Sequence, residues 1–523
     1  MEGKHHMKRM IAATLTLALT TAALAGCAAN AAAPTDDQNT VAAATMSNET
    51  GKTPKYVFLF IGDGMSYPQI QSTSDYLGAL NDEDYWQAQP SLDDNQGAIL
   101  DGPEYLNFMN FEGVGTAVTF DSNSFAPDSA STATSIATGH KTYSGSINVD
   151  ETGTVEYETI AEQLKAQKGY EIGVITSVNL NHATPAAFYA HQASRSSYYE
   201  IGLEMVESDF DYFAGGGLLD PTGSEGDQTD LYQLAQEAGY TVARTYAEAD
   251  AISADTDKAI IIEENLADSD AIPYEIDRTD DMWSLADYVE KGIEVLDNDT
   301  GFFMMCEGGK IDWACHANDA GSTIHDTVAL ADAVQVAIDF AAEHPEETLI
   351  LVTGDHETGG LTIGFAGTDY DTYLDLLENQ KISYAKFDSD YVASYKENKT
   401  PFEDVLADIE ELFGLKAQGA ADDKLVLTEY EMEQLRAAYE KSVNGTAASQ
   451  YEQEEYVLYG TYEPLSVTIT HIINNKSGIS FTSYSHTGLP VAVLAEGVGA
   501  ESFSGYYDNT QIYEKMADLL NIA

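Results

Sequence analysis

The sequence predicts an α/β protein with a central, mainly parallel sheet covered by helices on both faces, and with a large inserted cap or crown segment. Three observations support this prediction. Short aliphatic runs, apolar enough to be buried on both faces, alternate with stretches of helical periodicity. The chain has 523 residues, of which 44 % are hydrophobic, so a sizeable core can form. A long polar stretch near the C-terminal third lacks the apolar runs.

Six apolar runs predict the buried strands. In chain order they are "YVFLFIGDG", "EIGVITS", "AIIIEE", "FFMMCEGG", "TLILVTGDHE" and "VAVLAEG". Four stretches with i, i+3, i+4 spacing, each ended by Gly, Asn or Pro, predict helices between them: "TIAEQLKAQKG", "LYQLAQEAG", "SLADYVEKGIEVLDN" and "TVALADAVQVAIDFAAEHP". Strand–helix alternation of this kind predicts a parallel sheet, here within one domain over residues 54–523.

Residues 366–480 are predicted to be an insertion into this domain. The stretch is rich in Tyr, Asp, Glu and Lys, and it contains amphipathic helices such as "TEYEMEQLRAAYEKS". Such a segment could serve as a lid or as an oligomer contact, so a homodimer is among the states that the sequence allows.

The N-terminus predicts an export signal. Basic "MKRM" precedes an apolar run too short for a comfortable membrane span, and the run ends in "LAGC". Small residues before a cysteine are typical of a bacterial lipoprotein signal, so residues 1–27 are predicted to be a signal peptide with Cys27 lipidated. A plain secretory peptide cut after an alanine is the alternative. Residues 28–53 are predicted to be a flexible tether, and the protein is expected in the cell envelope, the periplasm or outside the cell.

The charge balance excludes several classes of partner. The formal net charge is −63, from 87 acidic and 24 basic residues. A field of that sign disfavours nucleic acid and anionic membrane surfaces, which leaves a lipid at Cys27 as the expected membrane contact. An anionic substrate would need local positive charge, such as bound metal. Cys306 and Cys315 could form a disulfide or remain buried thiols.

Acidic and imidazole side chains collect at the predicted strand ends, where function is found in open α/β sheets. They are Asp63 after the first run, Glu307, Asp312 and His316 after "FFMMC", Asp355 and His356 after "LILVTG", and His486 just before the last run. So many acids would repel one another unless cations lie between them. His nitrogen with Asp oxygen suits zinc, and an oxygen-only set with a hydroxyl suits magnesium. The sequence therefore predicts a polynuclear metal site.

One segment, "FAPDSASTATSIATGHKTYSG", carries six hydroxyls close together. They belong to Ser129, Ser131, Thr132, Thr134, Ser135 and Thr138. Alone, the segment does not identify a nucleophile, because Ser and Thr near a helix start often cap or pack.

Six motifs together resemble the alkaline phosphatases. They are "FLFIGDGM", "PDSASTATSIATGHKTYSG", "HATPAAFYAHQASR", "EGGKIDWACH", "TGDHETGG" and "SHTG", in the family's order from Lys55 onward. The resemblance implies an exported phosphomonoesterase that acts on small phosphate monoesters and releases inorganic phosphate. It makes Ser129 the nucleophile of a phosphoserine intermediate and Arg195 the bidentate grip on phosphate. The other five hydroxyls are then expected to pack close to the sheet.

The resemblance also implies two zinc ions and a third ion, magnesium or zinc. Asp312, His316 and His486 would hold the first zinc, and Asp63, Asp355 and His356 the second, together with Ser129. Thr184 and Glu307 would hold the third ion, with Asp63 as a bridge and His182 at the same site. His182 stands where other members have Asp, which would let zinc bind there as readily as magnesium. Trp313 stands where others have Lys or His, which removes a positive charge near the phosphate. Five further histidines are expected to be structural: His140, His191, His325, His344 and His471.

Other functions fit less of the sequence. A sulfatase needs a modifiable Cys or Ser in a C/S-x-P-x-R context, which "DSASTA" lacks. A related phosphodiesterase would lack a fork of the Arg195 type, because a diester has one fewer charged oxygen. A zinc-carrying lipoprotein without turnover would need the ligands but neither Ser129 nor Arg195. An acidic adhesion protein explains the charge but not the clustering at strand ends.

Overall fold

The computed structural model of the protein describes residues 52–82, 100–420, 422–445 and 453–522. The predicted signal peptide, Cys27 and nearly all of the predicted tether lie outside these ranges. Within them, no helix combines the length and apolar character needed to cross a membrane.

Ten strands form the central sheet, and two short two-stranded ladders flank it. The strands are β1 (Tyr56–Gly62), β2 (Gly113–Val118), β3 (Glu171–Asn179), β4 (Tyr212–Gly216), β5 (Thr241–Ala243), β6 (Ala259–Ile262), β7 (Phe302–Gly308), β8 (Thr348–Gly354), β9 (Glu357–Thr358), β10 (Thr362–Ile363), β11 (Ile479–Ser480), β12 (His486–Thr487), β13 (Val491–Gly497) and β14 (Gly505–Asp508). The order in the main sheet is β14-β2-β13-β8-β1-β7-β3-β4-β6-β5, while β10 pairs with β11 and β12 with β9. All six predicted strands are present.

Only β13 runs against the other strands of the main sheet. It pairs antiparallel with both β2 and β8, whereas β1 is parallel to β7 and β8 on its two sides. The start of β13 therefore lies at the same edge as the carboxyl ends of its neighbours. The predicted mainly parallel sheet is confirmed, with this one reversal.

Helices cover the sheet on both faces. They are α1 (Tyr67–Asn81), α2 (Ser129–Thr138), α3 (Ile160–Lys168), α4 (Ala183–Ala186), α5 (Tyr198–Glu207), α6 (Leu231–Glu237), α7 (Tyr246–Asp250), α8 (Leu285–Leu296), α9 (Lys310–His316), α10 (Ala320–Glu343), α11 (Tyr384–Phe387), α12 (Ala393–Asn398), α13 (Phe402–Phe413), α14 (Glu429–Asn444), α15 (Gln453–Tyr459), α16 (Pro464–Ser477) and α17 (Thr510–Leu520). The described residues also contain five short 3₁₀ turns and one π turn: Asn107–Asn110, Asp268–Asp270, Glu275–Asp277, Leu374–Asn379, Ala500–Phe503 and, as the π turn, Asp388–Val392.

Alternate residues of β1 enter two different cores. Val57, Leu59 and Ile61 pack with α2, α3 and α17 on one face. Phe58 and Phe60 pack with α8 and α10 on the other. The period of two along a strand thus divides a continuous apolar run between two helical layers.

The chain between β10 and β11 is almost entirely helical in its described secondary structure, from the 3₁₀ turn at Leu374–Asn379 to α16, with connecting loops and one isolated β-bridge between Lys416 and Val426. It has its own core, in which Phe387, Phe413 and Leu435 are fully buried, and this core also contacts Tyr76 of α1 and Ile324 of α10. The segment covers most of the predicted insertion at 366–480, whose standing as an insertion stays a prediction.

Candidate metal and catalytic site

The predicted site residues meet at one edge of the sheet. Asp63 follows β1, Glu307 lies near the end of β7, and Asp355 follows β8. Because β13 is reversed, His486 of β12, which directly precedes it in the chain, reaches the same edge. A cavity of about 330 Å³ opens there. Six of the predicted site residues line it: Ser129, His182, Arg195, Asp312, His316 and His486.

The first cluster consists of Asp63, Asp355 and His356, all buried, with one ligand atom from each lying within 4.8 Å of the others. His356 Nε2 is 3.2 Å from Asp63 Oδ1 and 3.4 Å from Asp355 Oδ2. The same nitrogen is 3.2 Å from Ser129 Oγ. A cation held by this cluster would therefore lie beside the serine hydroxyl at the start of α2.

The second cluster contains two histidines whose Nε2 atoms face each other. His316 Nε2 and His486 Nε2 are 3.0 Å apart, and each Nδ1 is 2.6 Å from a backbone carbonyl oxygen, that of Tyr484 or Pro127. An Nδ1–H that donates to a carbonyl leaves the Nε2 lone pair free. Two facing lone pairs repel unless a cation binds both. Asp312 adds carboxylate oxygens 3.4 Å and 3.6 Å from these nitrogens, which completes a set that suits zinc.

The two clusters adjoin each other. The rings of His356 and His486 stack with centroids 3.7 Å apart, and Asp312, His356 and His486 themselves form a compact ligand group. Burial, and next the neighbouring His356, lower the pKa of His486 to about 4, so its imidazole is neutral and able to bind metal at neutral pH.

A third group surrounds Asp63 on its other side. The Thr184 hydroxyl donates to Asp63 Oδ2 over 3.2 Å, and Glu307 accepts a hydrogen bond from Thr176. Three atoms here are buried without a hydrogen-bond partner among the described residues: Asp63 Oδ1, Glu307 Oε1 and His182 Nδ1. Orphaned buried acceptors are costly, and a cation would satisfy them. The donors present thus fit the metal chemistry predicted for this place.

Burial and mutual repulsion shift the protonation of the acids. Burial, and next the charge of Asp63, raise the pKa of Asp355 to about 8, and the same two causes raise the pKa of Glu307 well above its usual range. Burial opposes the charge on His356, but Asp355 and Asp63 overcome it and raise the pKa of His356 to about 10. The site therefore carries strong negative potential, which attracts cations.

The guanidinium of Arg195 is held next to the N-terminus of α2. Its Nη1 donates to Asp128 Oδ2 over 2.9 Å, and Nη2 lies 3.4 Å from His182 Nε2. Asp128 is also the N-cap of α2, since its side chain accepts from the Ser131 N–H. One carboxylate thus orients both the guanidinium and the helix that begins with Ser129.

Two hydroxyls support the ligands in a way that the sequence did not reveal. The Thr358 hydroxyl donates to Asp312 Oδ1 over 2.5 Å and lies 3.2 Å from His356 Nδ1, so it links the two clusters. Thr132, expected only to pack, donates to Asp355 Oδ2 over 3.1 Å. Thr358 lies inside the motif "TGDHETGG", and this position is the only sequence feature that could have pointed to it.

Gly64 is required where the backbone turns after β1. Its φ is +70°, and a Cβ there would lie 2.9 Å from Thr358 Oγ1 and 3.0 Å from the Cα of Asp312. Its N–H donates to Asp355 Oδ1 over 3.1 Å. The absence of a side chain lets the turn after β1 approach Thr358 of β9 and Asp312 of α9 closely.

The remaining candidates have structural contacts. His191 lies within 3.5 Å of carboxylate oxygens of Glu162 and Glu204, and His471 is hydrogen-bonded to Asn318. None of the five further histidines belongs to a ligand group among the described residues. Cys306 and Cys315 are free, buried thiols, so the disulfide alternative is not realised.

Comparisons with known proteins agree with this site. The family model described as alkaline phosphatase matches residues 54–522. Alkaline phosphatase 3 of Bacillus subtilis is 30 % identical over 469 residues, which are 88 % of this chain and 87 % of that protein. The cold-active alkaline phosphatase of a psychrophilic Shewanella is 29 % identical, with a TM-score of 0.68 over 89 % of this chain and 99 % of its own.

A third similar structure is the alkaline phosphatase of the Antarctic bacterium TAB5. It is 26 % identical, with a TM-score of 0.59 over 90 % of this chain and 99 % of its own. A histidine-to-glutamate variant of that enzyme has Mg bound in its M3 site.

Fold, site and relatives together define a phosphatase, a hydrolase of phosphate monoesters. The chain belongs to the alkaline phosphatase family.

Proposed function

We propose that this phosphatase works through a covalent phosphoserine at Ser129, with two zinc ions and a third ion, magnesium or zinc. The observation that carries the proposal is the position of Ser129 Oγ, 3.2 Å from His356 Nε2 and so beside the cluster of Asp63, Asp355 and His356. A hydroxyl at a helix N-terminus next to a cation-binding cluster is a serine that can be activated without a general base.

The metal ions, when bound, lower the pKa of the serine hydroxyl and of water and stabilise the oxygens that carry developing charge. Ser129 Oγ attacks phosphorus, the bond to the ester oxygen breaks, and the alcohol leaves. Water then attacks the phosphoserine, the bond to Oγ breaks, and Ser129 regains its proton as phosphate departs. Each step inverts phosphorus, so the net result is retention.

Arg195 supports a preference for monoesters. With Asp128 holding Nη1, the guanidinium presents a fixed donor plane to the cavity that Ser129 lines. A planar fork binds two non-bridging oxygens at once, and a monoester dianion offers one more charged oxygen than a diester.

Initial rates on nitrophenyl phosphate and on bis(nitrophenyl) phosphate test the proposal, measured with zinc and magnesium at neutral and alkaline pH. We expect strong preference for the monoester and a rate that rises with pH. Faster turnover of the diester would show that the protein is a phosphodiesterase instead. No turnover of either ester by the zinc-loaded protein would favour a metal carrier.

His182 is predicted to determine which ion binds at the third site. In the His182→Asp variant we expect the magnesium concentration for half-maximal activity to fall by about 10-fold, because hard carboxylate oxygen favours magnesium over zinc. A histidine-to-aspartate variant of the TAB5 enzyme has Mg bound in its M3 site. Metal content after dialysis against both ions measures the change. His140→Asp is the matched control, since His140 is exposed and stacks on Tyr157. Unchanged zinc and magnesium content in His182→Asp would contradict the prediction.

The stability of protein stripped by a chelator is predicted to fall between about pH 6.5 and 10. The pKa of Asp355 is raised to about 8 and that of His356 to about 10, so the folded state holds protons that the unfolded chain has released. Stability from such groups is present at low pH and is lost as pH rises through the folded values, at about 1.4 kcal/mol per pH unit for each proton. The pKa values of His182 and His486 are lowered to about 4, so these two groups make stability rise with pH, but only below pH 6.5.

Urea midpoints of stripped and metal-loaded protein across this pH range measure the effect. Bound cations keep the carboxylates ionised, so the loaded protein should lose less stability. Groups outside the site, such as His191, contribute equally to both and cancel in the comparison. Parallel curves for the two proteins would show that the prediction is wrong.

For localisation, we propose export and a lipid anchor at Cys27. The motif "LAGC" after a short apolar run supports this, and Cys27 lies outside the described residues. Radiolabelled palmitate in cells expressing the full chain, with Cys27→Ala as control, tests it: label in both or in neither would contradict an anchor.

A further inference from the structure

The cavity that holds Ser129 and Arg195 has a second, aromatic side to which the mechanism gives no role. Trp313, Tyr384 and Tyr462 line it together with Asp268 and Ser269. Trp313 lies on α9 and is half-buried, while Tyr384 and Tyr462 come from the helical chain between β10 and β11. Phosphate is small and anionic and gains nothing from three aromatic side chains.

The Trp313 ring is held in place from two directions. Lys310 Nζ lies 4.6 Å from the Trp313 ring and 4.0 Å from the Tyr274 ring. That ammonium is fully buried and is fixed by Asp268 Oδ1 at 2.6 Å. The rings of His182 and Trp313 pack edge to face, with centroids 5.9 Å apart and planes at 75°. Trp313 is therefore pre-organised next to the groups that would bind phosphate.

The two tyrosines are similarly ordered. Tyr384 and Tyr462 pack edge to face with centroids 5.7 Å apart, and the Tyr384 hydroxyl is 3.2 Å from that of Tyr274. Tyr384 is 9 % exposed, whereas Tyr462 is half-buried and keeps part of its surface free. The helical segment thus supplies a rigid part of the active-site wall.

We infer that Trp313, Tyr384 and Tyr462 form a subsite for the leaving alcohol, and that this subsite selects monoesters whose alcohol carries a planar aromatic group, such as a nucleobase. The inference rests on the proposed function and deepens it. A planar ring can stack on these side chains, and its neutral surface meets no repulsion from a chain with a net charge of −63. Of the polar groups on this side, Asp268 Oδ1 is already engaged by Lys310.

Two substrates that share the same ester test the subsite. Adenosine 5′-monophosphate and ribose 5-phosphate are both phosphates of a primary alcohol on ribose, and they differ in the base. We expect kcat/KM of the metal-loaded, full-length enzyme to be about 10-fold higher for the nucleotide, mainly because its KM is lower. A factor of about 10 is what the stacking of one base on one aromatic side chain contributes to binding.

Variants assign the preference to named side chains. Trp313→Ala and Tyr462→Ala should lose most of the preference, and in Tyr462→Ala the rate on ribose 5-phosphate and the inhibition constant of inorganic phosphate should stay within about 2-fold of wild type. Tyr462→Phe keeps the ring and should keep the preference. Tyr430→Ala is the matched control, because Tyr430 lies in the same helical segment but is 68 % exposed.

Equal kcat/KM for the two substrates in the wild-type enzyme would overturn the inference, whatever the variants do. Loss of both substrates in parallel in Trp313→Ala and Tyr462→Ala would also overturn it, since the side chains would then serve phosphate binding or folding. Absence of turnover on both substrates in the wild type would instead refute the proposed function, which keeps the two failures distinct.

Discussion

The Ser129→Ala enzyme is expected to hydrolyse nitrophenyl phosphate at least about 10³-fold more slowly than the wild type, because the phosphoserine can no longer form. Arg195 and the ligand clusters remain, so a small residual rate by direct attack of water is compatible with the proposal. Rates with both enzymes loaded with zinc and magnesium measure the loss, and acid-trapped labelled phosphate on the wild type alone identifies the intermediate.

Ser135→Ala is the matched control for this variant. Ser135 lies on the same helix and is buried, but its hydroxyl donates to the backbone carbonyl of Ser131 and contacts no ligand. This control should stay within a few-fold of wild type. Wild-type turnover in Ser129→Ala would refute Ser129 as the nucleophile and leave the metal clusters without the chemistry proposed here.

Removal of the metal ions is the second large effect that we expect. Chelation should lower the rate by about 10³-fold or more, since divalent cations contribute several kcal/mol of charge stabilisation to such transition states. It should also lower the melting temperature, because Asp63, Glu307, Asp312 and Asp355 are all buried within one small region. Binding at a thousand times Kd contributes about 4 kcal/mol per site to stability.

Calorimetry and rates after re-addition of zinc alone, magnesium alone and both ions separate the sites. Zinc should restore most of the stability and part of the rate, and both ions the remainder. The Ser129→Ala protein should show the same change in melting temperature as wild type, which separates metal binding from turnover. Full activity after exhaustive chelation would contradict the metal-dependent mechanism.

The buried strands were predictable because short aliphatic and β-branched runs between helical stretches favour strands covered on both faces. The run from Tyr56 to Gly62 is such a strand, and it is buried at every position. The strands that escaped prediction are short or rich in small residues, as in β2, "GVGTAV", and β4, "YFAGG". In β2 a Cβ at Gly115 would lie 2.1 Å from the Phe503 carbonyl oxygen. Glycine is therefore required there by the close approach of the neighbouring backbone, which leaves no hydrophobic pattern to read in the sequence.

The site was predictable to the extent that ligands follow strands. Position after a strand placed Asp63, Asp355 and His356 together without any knowledge of long-range contacts. The supporting hydroxyls were not predictable. Thr358 binds Asp312, which lies 46 positions away in the sequence, and a threonine carries no sequence signal that identifies its hydrogen-bond partner. Nor was the aromatic wall, since Trp313 and Tyr462 become neighbours only when the helical segment folds over the sheet edge.

The reversed strand β13 has a consequence for biosynthesis. It inserts between β2 and β8 in the interior of the sheet, and it follows His486 directly in the chain. A nascent chain on the ribosome therefore has a gap in its sheet and an incomplete ligand cluster until residues 486–497 have been made. Since the central strand β1 also pairs with residues about 250 and about 290 positions later, folding depends on contacts between remote segments, which form slowly. The ligand cluster of Asp312, His316 and His486 therefore forms only once β13 has closed the gap in the sheet.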